Sequence, residues 1–263
     1  MSSNEHTTHA VDLGRDPIGP LLCRLALPTI TAQVVNLLYN IVDRIYIGRI
    51  PREGKLALTG MGVTFPVITL ISAFSALVGM GGAPRASIAL GAGEKDRAER
   101  TLGTCATALW SLAAVLTVLF LLFQRDLLRL FGASADTLPY AMQYLSIYVL
   151  GTIFVMTALG LNGFITAQGS SAVAMKTVVI GAVLNVVLDP LFIFVLHMGV
   201  RGAAVATVLS QAVSAAWVLR FLTGKNTVLR LRRSTLRIDT KLLLPAVSLG
   251  ASPFVMQSTE SLL

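Results

Sequence analysis

Six long apolar stretches run along the chain, and short polar segments separate them. Each has about 20 residues or more, enough to cross the ~30 Å hydrocarbon core of a bilayer as a helix rising ~1.5 Å per residue. Because lipid offers no partners for backbone amides, helix is the form expected for runs of this length. The stretches cover residues 20–47, 56–84, 102–123, 140–166, 173–196 and 203–222. They predict an all-α polytopic membrane protein with a six-helix transmembrane bundle at residues 18–223.

Polar or basic segments flank this bundle. Residues 1–17 contain no apolar core of the signal-peptide type and are predicted to form a cytoplasmic tail. Residues 224–240 are rich in arginine and are predicted to form a basic cytoplasmic linker that touches anionic headgroups rather than RNA. Residues 241–263 turn apolar again. They are interpreted as the start of a second lobe, truncated within an incomplete seventh span.

Composition narrows the class of protein. Of the 263 residues, 54% are hydrophobic and 13% are charged, whereas about 25% of residues are charged in ordinary soluble domains. This balance excludes a disordered chain and argues against a water-soluble enzyme. Cys23 and Cys105 both lie in apolar runs, which fits neither a disulfide framework nor a metal site.

Positive charge is unevenly distributed between the loops. The formal net charge is +8, and with the N-terminus inside, thirteen basic residues fall on the cytoplasmic side against six outside. The positive-inside rule therefore predicts a multi-pass protein of the cell membrane with a cytoplasmic N-terminus. It also explains the pI near 10.0 without a nucleic-acid partner. The inner set is Arg15, Arg24, Arg85, Lys95, Arg97, Arg100, Lys176, Lys225, Arg230, Arg232, Arg233, Arg237 and Lys241; the outer set is Arg49, Arg52, Lys55, Arg125, Arg129 and Arg201.

A short pattern recurs near the two ends of the chain. The segment RLALP at residues 24–28 resembles KLLLP at residues 241–245, and an acid follows the proline by fifteen residues in both copies, as Asp43 and Glu260. The offset of 217 residues indicates a duplicated six-span unit, whose copies enter the membrane in the same direction as parallel repeats. The hypothesis is a fragment of a protein of at least 434 residues, twice the offset, that needs its missing second lobe and is otherwise a monomer. The alternative is that a basic residue and a proline merely mark where a span begins.

Two acidic side chains interrupt the apolar stretches at membrane depth, Asp43 in the first and Asp189 in the fifth. A charge at that depth costs ~2.5–3.5 kcal/mol on insertion scales, and such residues usually serve a function. Asn185 lies four residues before Asp189 and therefore projects from the same helical face. Pro190 follows directly and frees a backbone carbonyl for a ligand or water.

Two carboxylates and an amide kept away from water suit a proton or a monovalent cation, which the pair binds as a unit. Thr207 in the sixth stretch adds a hydroxyl oxygen, and oxygen-rich sites favour hard cations such as sodium. Two simpler interpretations stay open. Asp43 pairs with the adjacent Arg44, or Asn185 and Thr207 only hold helices together by hydrogen bonds.

Other residues are candidates for bending a helix or lining a pocket. Pro28 permits a kink in the first helix, although a static bend is the commoner role of such a proline. Tyr39 and Asn162 are candidate pocket-lining residues, and anchoring at the membrane interface is an equally open interpretation. The chain carries no P-loop and no serine-hydrolase, zinc-protease or Cys-x-x-Cys motif. No cofactor is therefore expected, the protein is predicted not to be an enzyme, and any pumping has to use an ion gradient.

Six motifs follow one another in the order LALPTI, YNIVDRIYIGR, GGAPRASIALGAGEKDRAER, LNGFITAQGSS, NVVLDPLFIF and GVRGAAVATVLSQ. As an ordered set they resemble the multidrug and toxic compound extrusion (MATE) family, from about residue 18 to the end of the chain. The resemblance implies twelve spans in two six-helix lobes, around a cleft that opens alternately to each side of the membrane. It also implies a secondary active antiporter that exports organic, often cationic, drugs in exchange for H⁺ or Na⁺.

The same resemblance assigns roles to individual residues. Pro28 matches a first-span proline implicated in bending, and Glu260 resembles a seventh-span acid that joins Tyr39 and Asn162 as a substrate-pocket candidate. Arg44 beside the first-span acid departs from the family pattern and puts the electrostatics of Asp43 in question. The residues that match the coupling-ion site of the first, fifth and sixth spans are Asp43, Asn185, Asp189, Ala203 and Thr207.

Two rival functions make different demands on the sequence. A flippase for a lipid-linked polar precursor needs a strongly cationic central cavity, yet basic residues inside the spans are scarce. An integral membrane enzyme such as a prenyl-group transferase needs clustered aspartates to hold magnesium diphosphate, and the chain has no aspartate-rich loop. Both remain alternatives to the exporter.

Overall fold

The structure is a computed structural model that describes residues 18–51, 53–225 and 227–260. Over this part of the chain, long helices follow one another with short connections. A π-helical turn, Leu191–Val195, extends the sixth helix, and a 3₁₀ turn, Arg233–Thr235, lies in the segment before the eighth. The helices are α1 (Ile18–Gly48), α2 (Gly54–Gly91), α3 (Lys95–Leu130), α4 (Leu138–Leu150), α5 (Thr152–Ala167), α6 (Ser171–Pro190), α7 (Val200–Thr223) and α8 (Thr240–Glu260).

Most of these helices are long and apolar enough to cross a membrane. Among the described residues, five qualify singly, namely α2, α3, α6 with its π-helical turn, α7 and α8, and the pair α4–α5 qualifies as one bent span. Helix α1 has 31 residues and is also long enough to cross, and it carries the polar residues Gln33, Asn36, Asn40 and Asp43 within its apolar sequence. The predicted fold class, an all-α polytopic membrane protein, is confirmed.

The fourth predicted span is two helices rather than one. We expected a single helix over residues 140–166, whereas α4 and α5 meet at Gly151 with a bend of 58°. A Cβ atom on Gly151 would lie 2.6 Å from the Val208 side chain of α7, so the bend depends on a residue without a side chain. Local hydrophobicity carries no sign of this bend, because both halves are equally apolar.

Helix α2 is the central element of the bundle. It packs against α3 and α5 and, along its second half, against α8. The core between α3 and α5 is filled by large buried side chains, including Leu109, Met156, Leu161 and Phe164. Helices α1, α6 and α7 form the other side of the lobe, where α1 packs chiefly on α6, and α6 packs on α7.

Helix α8 occupies the segment predicted to begin a second lobe with an incomplete seventh span. It has 21 residues and lies close against α2, where the Phe74 and Phe254 rings are 5.0 Å apart between centroids. Gly81 and Gly250 let the two backbones approach each other closely, as small residues commonly do between membrane helices. The segment therefore has the length of a full span in the structure.

One end of the bundle gathers most of the polar tertiary contacts. We call it the basic face; it is the end at which α2, α5 and α7 finish and α3, α6 and α8 begin. The linker between α7 and α8 is docked here, with Leu229 fully buried and Leu231 nearly so. The side-chain oxygen of Gln168 accepts hydrogen bonds from the Thr227 hydroxyl at 2.7 Å and the Val228 N–H at 2.8 Å. Specific hydrogen bonds and the burial of two leucines therefore hold the linker against the bundle.

Candidate functional site

Asp43 of α1 and Asp189 of α6 face each other inside the membrane part of the bundle. The relative exposure of Asp43 is 4% and that of Asp189 is 0%. The two carboxyl groups lie close enough to interact directly. Because an ionised carboxylate only accepts hydrogen bonds, the pair calls for a shared proton or cation. The packing of α1 on α6 brings together two acids that lie 146 residues apart in the sequence.

Asn185 connects this pair to the next helix. It lies one turn before Asp189 on α6, is 2% exposed, and its side-chain N–H groups donate in two directions. One bond runs to Asp189 Oδ1 at 3.3 Å and the other to Thr207 Oγ1 on α7, also at 3.3 Å. The amide N–H groups of Asn185 therefore orient the site, while its side-chain oxygen has no partner among the described residues.

The beginning of α7 is held close to this group. A Cβ atom on Gly202 would lie 2.7 Å from the backbone of Phe192 in the π-helical turn, so this glycine permits the close approach. The Thr207 hydroxyl donates to the Ala203 carbonyl at 3.0 Å, and the buried Tyr144 side chain of α4 lies near Thr207. The π-helical turn starts directly after Pro190, and such turns are frequent at functional sites.

The site contains more acceptors than donors. Asp43 Oδ1, Asn185 Oδ1 and Asp189 Oδ2 are all buried and have no hydrogen-bond partner among the described residues. An unpaired buried acceptor carries the full cost of its lost hydration, and three in one place mark a location that a proton or a cation stabilises.

Arg44 forms no ion pair with Asp43, although its charge acts on that carboxyl through space. The guanidinium lies over the Phe65 ring, 5.7 Å from its centroid. Among the described side chains the two ion pairs are Arg97–Glu94 and Arg232–Glu99, and neither involves Asp43. The interpretation in which Asp43 pairs with its neighbour Arg44 is therefore not what the structure shows.

A cavity of about 220 Å³ adjoins the acid pair. Of the three predicted substrate-pocket residues, Tyr39 and Asn162 line it, whereas Glu260 is the last residue of α8 and its side chain lies outside the described part. Asn185 and Thr207 belong to both the cavity wall and the acid site. All described lining residues are uncharged, and the polar ones are Thr29, Gln33, Asn36, Tyr39, Asn162, Thr166, Ser171, Thr177, Asn185, Thr207, Ser210, Gln211 and Ser214.

Two further features bear on the sequence predictions. Pro28 lies inside α1, which continues through it as one helix, so its role as a hinge stays a prediction. Tyr144 was missed, although a tyrosine in the middle of an apolar stretch is a signal of a buried hydroxyl that needs a partner. The five coupling-ion candidates, by contrast, lie together as described.

The sequence is similar to a transporter family profile and to two named transport proteins. The family profile MatE matches residues 28–191, which covers more than half of the chain. The multidrug export protein MepA of Staphylococcus haemolyticus (strain JCSC1435) is 26% identical over 235 residues, 89% of this chain and 52% of that protein. A protein named FAD transporter from Shewanella oneidensis (strain MR-1) is 29% identical over 202 residues, 75% of this chain and 44% of the relative.

Solved structures agree in fold. A multidrug resistance MATE family transporter of the MOP superfamily, in an outward-facing conformation, superposes with a TM-score of 0.87 at 28% identity. The match covers 96% of this chain and 56% of that one. The chain thus spans about half the length of the relatives it matches.

Proposed function

Since this chain belongs to the MatE family, we propose that it forms one six-helix lobe of a secondary active antiporter rather than an enzyme. The antiporter exports organic, often cationic, compounds in exchange for H⁺ or Na⁺. The name of the MepA relative supports drug export, and the half-length match supports a second lobe that completes the cleft. The predicted orientation, with the N-terminus in the cytoplasm of the cell, is part of this proposal.

The coupling ion binds at the pair Asp43 and Asp189. The observation that carries this assignment is a buried pair of neighbouring carboxyl groups with unpaired oxygens around it and no salt bridge to a described basic side chain. Two such groups cannot both be ionised without a partner. A proton on one carboxyl, or a cation held by both with the Asn185 oxygen, satisfies the site.

Coupling to the substrate follows from shared residues. Asn185 and Thr207 contribute to the acid site through their hydrogen bonds and to the cavity through its wall. An ion that draws on the Asn185 oxygen therefore changes the polar groups that the cavity offers to a substrate. A ligand shifts an equilibrium only through different affinity for two states, and this common wall supplies the difference.

The chemistry of the cavity favours neutral or cationic organic compounds. Amide and hydroxyl groups together with the Tyr39 ring offer hydrogen bonds and a π-face to a cation. A lipid-linked polar precursor or a flavin dinucleotide carries a diphosphate, which calls for Arg or Lys, and no described lining residue is basic. The flippase and a flavin-export activity like that of the named relative are thus less well supported.

The test uses a protein that carries this lobe together with a second lobe, reconstituted in liposomes. We expect Asp43→Asn and Asp189→Asn each to reduce ion-driven export of a cationic dye by about thirty-fold or more, as for truncation of a buried charged partner. Collapsing the sodium and proton gradients separately identifies the ion. Asp126→Asn, an exposed acid of α3, is the matched control and leaves export unchanged. Full export by both site variants would end the coupling proposal.

A further inference from the structure

A second pocket lies at the carboxyl end of α7, on the basic face. Its volume is about 440 Å³, and its lining residues are Trp217, Arg220, Phe221, Gly224, Lys225 and Thr227. It is formed by the last two turns of α7 and the first residues of the linker. It shares no residue with the cavity beside the acid pair.

Three donor side chains of this pocket, those of Trp217, Arg220 and Lys225, have no acceptor among the described residues. Arg220 and Lys225 are exposed, and neither takes part in an ion pair with a described acid. The Trp217 indole N–H is buried and has no hydrogen-bond partner among the residues that the structure describes. Arg230 adds a third positive charge nearby, since its Nε donates to the Thr223 carbonyl at 3.3 Å. No acidic residue belongs to the described lining.

The position of the pocket at the end of a membrane-spanning helix indicates the kind of ligand that it can bind. It lies where a membrane-spanning helix ends, the depth at which tryptophan is enriched and long basic side chains reach toward the headgroups. The aromatic rings of Trp217 and Phe221 form apolar walls, while Arg220 and Lys225 concentrate positive charge. A molecule with an acyl chain and a phosphate matches both halves of this lining.

We propose that this pocket binds an anionic phospholipid, with the headgroup phosphate between Arg220 and Lys225 and the acyl region against Trp217 and Phe221. The site lies apart from the exporter site and does not depend on the transport proposal. Juxtamembrane basic residues each favour anionic lipid by about five-fold. We therefore expect phosphatidylglycerol to be preferred over phosphatidylcholine by at least that factor.

The two tryptophans of the chain allow a direct test. Trp110→Phe leaves Trp217 as the reporter, and the chain is placed in vesicles that contain brominated phosphatidylglycerol or brominated phosphatidylcholine. Bromine quenches the fluorescence of a nearby indole, so the ratio of the two quenching constants gives the preference at this pocket. We expect a ratio of about five or more, which falls close to unity in Arg220→Gln/Lys225→Gln.

A matched control separates a binding site from general charge. Arg125→Gln/Arg129→Gln removes the same charge from exposed positions on the opposite face and is expected to leave the ratio unchanged. An equal loss in this control, or equal quenching by both lipids in the parent, overturns the proposal. Displacement of the lipid by inorganic phosphate also overturns it, since the pocket would then take a soluble anion.

A second measurement removes the dependence on Trp110→Phe, which loses the hydrogen bond from Trp110 to the Thr157 hydroxyl. Native mass spectrometry of the unaltered chain, released from detergent with an equal mixture of the two lipids, counts the bound molecules directly. Retained phosphatidylglycerol that disappears in Arg220→Gln/Lys225→Gln supports the site. No difference between parent and variant contradicts it.

Discussion

Among the described residues, acidic side chains are buried at two places, and the two places balance the negative charge in opposite ways. At the basic face Glu99 is 2% exposed; its carboxylate contacts Arg232 Nε at 3.1 Å and accepts from the Arg230 backbone N–H at 3.4 Å. Between α1 and α6, Asp43 and Asp189 lie beside each other, and no described basic side chain is paired with either. Glu99 therefore has a basic partner in the structure, whereas the acid pair has none among the described side chains, and we propose that a mobile proton or cation takes that role.

The difference separates a structural charge from a functional one. Glu99 lies at the start of α3 and is joined to the linker before α8, so its ion pair fastens the connection that leads into α8. A permanent cation at Asp43 and Asp189 would satisfy the site equally well, but it would leave nothing for an ion gradient to change. We infer that the missing counter-charge is what makes the acid pair usable for coupling.

The largest expected effect comes from giving the Asp43/Asp189 pair a permanent cation, as Glu99 has in Arg232. Asn185→Lys places a fixed ammonium beside Asp189, so ion-driven export in the two-lobed protein should fall by about thirty-fold or more, while the fold is retained. Export of a cationic dye from liposomes with an imposed gradient measures this. Asn185→Met has similar length without charge and serves as the steric control. If the methionine variant loses as much export as the lysine variant, the loss comes from packing and not from the fixed positive charge, which contradicts the role assigned to the missing counter-charge.

An intermediate effect is expected from breaking the resident pair. Glu99→Gln removes the negative charge that binds Arg232 and so weakens the attachment of the linker to the bundle. We therefore expect the free energy of unfolding to fall by about 1–3 kcal/mol. Thermal unfolding of the purified chain, followed by circular dichroism, gives the change. Glu94→Gln removes the acid of an exposed pair and should alter stability by less than about 1 kcal/mol. A stability loss as large for Glu94 as for Glu99 would contradict the structural role assigned to the buried pair.

The smallest effect is expected at Arg44. Its guanidinium lies over the Phe65 ring and is not paired with Asp43, so Arg44→Gln should change ion-driven export by less than about two-fold. The same liposome assay measures it, with Arg49→Gln, an exposed arginine just after the end of α1, as the control. A large loss at Arg44 alone would mean that the acid pair does use a resident cation, and the contrast with Glu99 would disappear.

Much of the fold could be predicted because lipid requires the backbone N–H and C=O groups to be paired within the protein. Five of the six apolar stretches coincide with continuous helical segments and the fourth with the bent pair α4–α5, since each is long enough to span and has no other way to pair its backbone. Asn185 and Asp189 were placed together because a spacing of four fixes one helical face. The bend at Gly151 and the π-helical turn after Pro190 could not be predicted, since both depend on what α7 packs against them.

The sequence by itself determined which segments enter the membrane and which acids have to be buried there, because hydrophobicity and helical period act over neighbouring residues. Only the tertiary structure decided which acids receive a partner. Glu99 lies in the polar segment between the second and third apolar stretches, and its buried carboxylate is paired with Arg232, 133 positions further along the chain. Asp43 meets Asp189 because α1 lies on α6. Contacts between distant segments arise from packing, and packing is a property of the assembled helices rather than of any one of them.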